Sequence, residues 1–174
     1  MSTSRTRTRQ MVLTALAAAL AAVISPWSIA IGPISLTLGV FAAFFAGAIL
    51  SPGWAFAAQL VYLAIGCLGL PVFSGFLSGP QVLLGVTGGY LLAFPIMAFI
   101  LSWFCRLSPA WPVRLAGIAV SLVVCYAFGT AWFMYLSGND LSTSLAWCVI
   151  PFIIPDFCKG IAALLLAKTL ERRL

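Results

Sequence analysis

The segment "IPDFCKG", Ile154 to Gly160, sets an acid and an amine, Asp156 and Lys159, three residues apart inside an otherwise apolar stretch. On a helix that spacing brings both onto one face, within reach of each other. A charge at membrane depth costs at least about 2.5 kcal/mol, and residues kept there mark substrate or ion pathways. Two other readings stand beside ligand binding. The pair can be a structural ion pair that neutralises itself, or Lys159 can snorkel toward the interface. Pro155 can also start the helix, leaving Asp156 in a first turn where the dipole favours an acid.

Two glycine-bearing segments come next, "FSGFLSGP" and "LLGVTGGYL". Glycine lets backbone approach a ligand closely, and irregular backbone at membrane depth is tolerated where it lines a cavity or lies buried in protein. Gly88 and Gly89 serve equally well as small residues at a helix crossing. "GVTGGY" lacks the lysine of a phosphate-binding P-loop, so the chain carries no recognisable ATPase. With no histidine and no CxxC pair, metal-site spacing is absent, and the five cysteines read as small apolar packing residues. An intramembrane enzyme would need a nucleophile beside a base, and no Ser or Thr joins Asp156 and Lys159 at suggestive spacing. Near the N-terminus, Ala15 with Ala19 and Ala18 with Ala22 repeat at fourfold spacing, which lets helices pack closely in lipid. They suit a partner-docking face or internal packing equally.

The elements that must hold these residues are membrane helices. The chain is 63% hydrophobic and only 7% charged, against roughly 25% charged in soluble domains. No charge occurs between Arg9 and Arg106, an interval with room for about four spans of about 20 residues. Proline, glycine and polar breaks divide the chain into six apolar segments: about Met11–Ala30, Leu36–Leu50, Trp54–Leu70, Val82–Phe104, Leu115–Leu136 and Leu145–Lys168. "SGNDLSTS" reads as a loop. The first segment follows three arginines like a signal peptide, but the apolar sequence continues, so it reads as a transmembrane helix. The arginines of residues 1–10, Arg106, Arg114, Lys168, Arg172 and Arg173 fall on one side of six spans, with Asp140 alone on the other. The positive-inside rule then puts both termini in the cytoplasm. It also accounts for the net charge of +6 without a nucleic-acid partner. The expected architecture is a single all-α, membrane-embedded domain over residues 1–174, multi-pass, with the lipid bilayer as its solvent.

Read in order, these pieces resemble the BioY family, the biotin-specific substrate-binding subunits (S components) of energy-coupling-factor vitamin transporters. "GPISLTLGVFAAFFAGAIL", "LVYLAIGCLGLPVFSG", "LLGVTGGYLLAFP" and "PFIIPDFCKGIAALLLA" are similar to its GPxPxTLQT, LLYLxLGxxGLPVFAG, LLGPTGGYLxGF and PFxPxDxxKxxxA segments. Gly39 stands where the family pattern has Gln, Val86 where it has Pro, and Ala93 where it has Gly. The resemblance implies biotin uptake across a bacterial or archaeal plasma membrane, without catalysis and without a cofactor in the chain, ATP entering only through partner subunits beside a membrane coupling protein. Asp156 and Lys159 then become ligands for biotin, Thr87, Gly89 and Tyr90 wall the pocket, and Tyr62 matches the aromatic of the third segment. An aspartate accepts from ureido N–H groups and a lysine donates to the ureido carbonyl or the carboxylate, while Phe73, Tyr90 or Trp147 would cover the bicycle. The departures leave open a carrier for another vitamin or small solute on the same scaffold.

Overall fold

The computed structural model describes residues 2–31 and 34–171, with side chains from 6 to 170. Among the described residues, eight α-helices follow the apolar segments: α1 Ser2–Ile24, α2 Gly39–Ile49, α3 Pro52–Cys67, α4 Pro80–Leu84, α5 Gly88–Leu107, α6 Trp111–Ser137, α7 Leu141–Cys148 and α8 Ile153–Glu171. Proline stands in the first turn of α3, α4 and α6, where its missing N–H costs nothing. Gly138 ends α6 in the left-handed conformation at φ +71°, which a residue without Cβ adopts freely.

Three helices are long and apolar enough to cross a membrane, Thr6–Ile24, Gly88–Leu107 and Trp111–Ser137. A fourth crossing is available if the pair α7 and α8, bent by 46°, acts as one broken span. The shorter apolar helices α2 and α3 complete the bundle. The molecule is thus a mainly helical membrane protein, with α5 against α6 as its most extensive contact among the described residues.

Four boundaries depart from the sequence reading. The helix expected over Met11–Ala30, kinked or ended near Pro26, begins within the basic residues 1–10 and stops at Ile24, two residues before Pro26. After it comes a β-hairpin in place of all-α structure, β1 Ser28–Ile31 against β2 Ile34–Thr37, with Ser28 opposite Thr37 and Ile31 opposite Ile34. Gly32 and Pro33, which open one of the family-like segments, lie outside the described residues, as do Arg172 and Arg173. Half of the "SGNDLSTS" loop is helical as well, because Asp140 caps α7 by accepting from the Thr143 N–H, an arrangement Asp favours. The hydroxyl of Ser142, then that of Thr143, holds the Asp140 carboxyl at about 2, so this cap is lost only as pH falls through that value. The last segment, read as about Leu145–Lys168 with Pro155 as a candidate helix start, breaks over residues 149–152 around Pro151, which has no N–H to give and crowds the preceding turn.

The loop between α3 and α4 is held from inside. Phe73 is fully buried and sits edge-on to Tyr62 at 5.8 Å, and the Tyr62 hydroxyl donates to the Val72 carbonyl at 3.2 Å. The Phe73 ring lies so close over Gly66 that a Cβ there would overlap it. Gly66→Ala is therefore expected to destabilise the protein by about 1–3 kcal/mol, read as a lowered thermal midpoint in detergent. An unchanged midpoint would refute this packing account.

Candidate functional site

Where the hairpin, the α3–α4 loop and the upper ends of the helices meet, they enclose a cavity of about 240 Å³, slightly below the usual range for small-molecule sites of about 300–1,000 Å³. Its wall is chiefly apolar, including Ile34, Leu91, Phe94 and Phe152, with a few polar groups, among them Thr37, Ser74, Thr87, Tyr90, Tyr126 and Asp156. That composition suits a ligand with an apolar body and a few hydrogen-bonding atoms.

Asp156 enters this wall because the break at residues 149–152 starts a new helix just before it. It lies in the first turn of α8, where an acidic side chain suits the helix dipole, and it is 4% exposed. Lys159 Nζ sits 2.8 Å from Asp156 Oδ1 and donates to it. The same ammonium donates to the Thr37 carbonyl at 2.8 Å, tying α8 to the end of β2. On the other carboxylate oxygen, the Tyr126 hydroxyl donates to Oδ2 at 2.9 Å. Lys159 stands behind the acid and is not a wall residue. Each charge alone would cost several kcal/mol in such surroundings; paired and hydrogen-bonded, they offset one another.

Tyr90 and Thr87 also lie on the cavity wall. The Tyr90 hydroxyl and Thr130 Oγ1 are 2.9 Å apart, and the ring rests on Gly129, where a Cβ would strike it. Gly89 does not face the cavity. It receives the Trp132 side chain, and Gly88 receives the Leu83 backbone, so this glycine pair serves packing. Trp132 Nε1 then donates to the Gly85 carbonyl at 3.0 Å, closing the turn before α5.

Three aromatic residues expected at the ligand lie elsewhere. Tyr62 and Phe73 belong to the buried core, their polar and ring contacts already taken by Val72 and Gly66. Trp147 is exposed on the outer side of α7. The alanine face of α1 divides: Ala15 and Ala19 are exposed, Ala22 is half-buried, and Ala18 is buried with Ala17 and Ala21. Ala18 therefore packs the bundle and is closed to a partner.

Sequence reasoning missed Tyr126 and the Thr37 carbonyl. A signal for Tyr126 did exist. Ser121, Leu122, Cys125, Gly129, Thr130 and Phe133 are the buried stripe of α6, spaced at helical period, and Tyr126 sits beside it with the polar tip that a lipid-facing residue would lack. The Thr37 carbonyl left no signal, because a backbone acceptor has no residue type.

These features define a helical membrane protein that encloses a small-molecule cavity beside a buried acid–amine pair. The chain belongs to the BioY family, whose model matches residues 1–174. It is 38% identical over 165 residues to a probable biotin transporter BioY of Pyrococcus horikoshii, covering 95% of this chain and 98% of the relative. To the biotin transporter BioY2 of Lactococcus lactis subsp. cremoris it is 35% identical, covering 97% and 93%. The fold matches the crystal structure of the S-component for biotin from an ECF-type ABC transporter with a TM-score of 0.88, at 24% identity, over 97% of this chain and 93% of that one.

Lys159→Met leaves Asp156 charged and short of its main partner, so the variant should lose about 3 kcal/mol of stability. Adding Asp156→Asn should restore most of that loss, both read as thermal midpoints without ligand. A single variant no less stable than the double would show that the two side chains are not an energetic pair.

Proposed function

We propose that this protein captures biotin at the cavity beside Asp156 and Lys159 and delivers it inward, as the substrate-binding subunit of a vitamin transporter. The observation that carries this reading is an ion pair whose buried acid lies in the wall of a mainly apolar cavity. Biotin offers an apolar bicycle for the wall and ureido N–H donors for the Asp156 carboxylate, which Lys159 holds from behind. Tyr90 and Thr87 complete the contact surface. The relatives named for biotin transport and the S-component fold support the same assignment.

The orientation we propose is six passes with both termini cytoplasmic. Gln10 accepts from the Ser51 N–H, Ser102 donates to the neighbouring Leu50 carbonyl, and Lys168 lies 5.4 Å over the Trp111 ring. Those contacts gather Arg7, Arg9, Arg106, Arg114 and Lys168 at one end of the bundle, opposite the cavity. The basic end facing the cytoplasm satisfies the positive-inside rule and opens the cavity end outward. Energy comes from outside the chain, through a membrane coupling protein and its paired ATPases, with the exposed Ala15 and Ala19 as the docking face on α1.

Calorimetry on the purified protein should show biotin binding. Asp156→Asn should weaken it about 10- to 100-fold, as expected for losing a hydrogen bond to a charged group, and Lys159→Ala should weaken it comparably by removing the partner that holds the Asp156 carboxylate. Unchanged affinity in both variants would defeat the assignment, and tight binding of another vitamin with none of biotin would favour a different solute on this scaffold. For docking, Ala15→Trp and Ala19→Trp should abolish co-purification of the coupling protein while leaving biotin affinity unchanged. Retained co-purification would move the docking face elsewhere.

A further inference from the structure

We infer that Tyr126 is a positioning residue, the group that aims the Asp156 carboxylate at its ligand. The inference deepens the biotin reading and rests on it for the identity of the ligand. Lys159 holds Oδ1 from the same helix, one turn away. A single contact of that kind leaves the carboxylate plane free to turn about it. Tyr126 supplies the second point from α6, donating to Oδ2 at 2.9 Å, so the angle of the carboxylate is set by how α6 packs on α8. Tyr126 and Asp156 both lie on the cavity wall. A carboxylate offers about four acceptor positions, and here two are occupied. One N–H donor of a ligand can therefore be accepted without displacing either neighbour. The Tyr126 oxygen, having given its proton to Asp156, keeps only acceptor capacity toward the ligand. The site should accordingly select a donor-bearing edge over a carbonyl at this point.

Tyr126→Phe removes the hydroxyl and keeps the ring. Biotin affinity measured by calorimetry should fall about tenfold. In the double variant Tyr126→Phe with Asp156→Asn, affinity should be no weaker than in Asp156→Asn alone, because a positioning residue has nothing left to position. Fully additive losses would overturn the proposal and make Tyr126 an ordinary wall residue. An independent readout needs no ligand. The chain has three acidic side chains, so the infrared carboxylate band of Asp156 can be assigned from the wild-type minus Asp156→Asn difference spectrum. That band should shift in Tyr126→Phe, and an unmoved band overturns the proposal. If biotin failed to bind the wild-type protein while the band still moved, the functional reading would fall and the positioning role of Tyr126 would stand.

Discussion

The ion pair between Asp156 and Lys159, with the hydrogen bonds around it, connects three parts of the molecule: the end of the hairpin, α6 and α8. An aspartate 4% exposed in a protein this apolar is tolerated because every direction of its charge is answered. Lys159 faces one oxygen, Tyr126 the other, and the first turn of α8 adds its dipole. The lysine in turn reaches the Thr37 carbonyl. The hairpin end, α6 and α8 therefore share one polar junction on one side of the cavity. Removing any member leaves a buried group short of a partner, which costs more than the intact contact contributes.

Around that junction the bundle relies on shape. Lipid is as apolar as the helix surfaces, so burial of hydrocarbon gives little drive for helix association, and close packing by small residues takes its place. The α5–α6 contact shows how this builds a site. Gly129 admits the Tyr90 ring, Gly89 admits Trp132, and Gly117 sits against Phe104. Each contact needs a hydrogen where another residue would have a Cβ. The same interdigitation places Tyr90 at the cavity, and Tyr126 lies one turn before Gly129 on the facing helix. The wall of the cavity is thus a by-product of helix packing, and its two tyrosines are as rigid as the interface that holds them.

Much of this was legible from the chain alone. A long charge-free interval pointed to membrane helices, and the acid and the amine three residues apart on a helix do meet. The glycine-rich start of the fourth segment was expected to be irregular, and α4 with its turn before α5 is that irregularity. What escaped was structure whose signal is tertiary. "SIAI" and "ISLT" are apolar enough to pass as the ends of spans, and only their antiparallel pairing makes them strands. Tyr62 and Phe73 have the composition of pocket walls, yet composition is silent on which face of a helix meets a ligand and which meets Gly66. Ala15 and Ala18 look alike in sequence; a rotation of about 300° around the helix puts one in the open and the other inside.

Gly39 shows how a departure from the family pattern can reshape the cavity without touching its charges. A Cβ at this position would lie 2.9 Å from Phe94 Cε2, 3.0 Å from Thr37 Oγ1 and 3.1 Å from Ser25 Oγ, all tighter than side chains normally sit. Phe94 and Thr37 both line the cavity, so the absence of a side chain at residue 39 is what allows them to close in. A glutamine on this backbone would force them apart and bring its amide toward the space they now fill. Thr37 meanwhile serves two neighbours with two different atoms. Its hydroxyl accepts from the Gly39 N–H at 2.8 Å, and its carbonyl accepts from Lys159. Because the hydroxyl is turned toward α2, the carbonyl remains free for the ammonium. The substitution at residue 39 and the ion pair at α8 are therefore compatible: one alters the apolar shape offered to a ligand, while the other keeps the polar contacts in place.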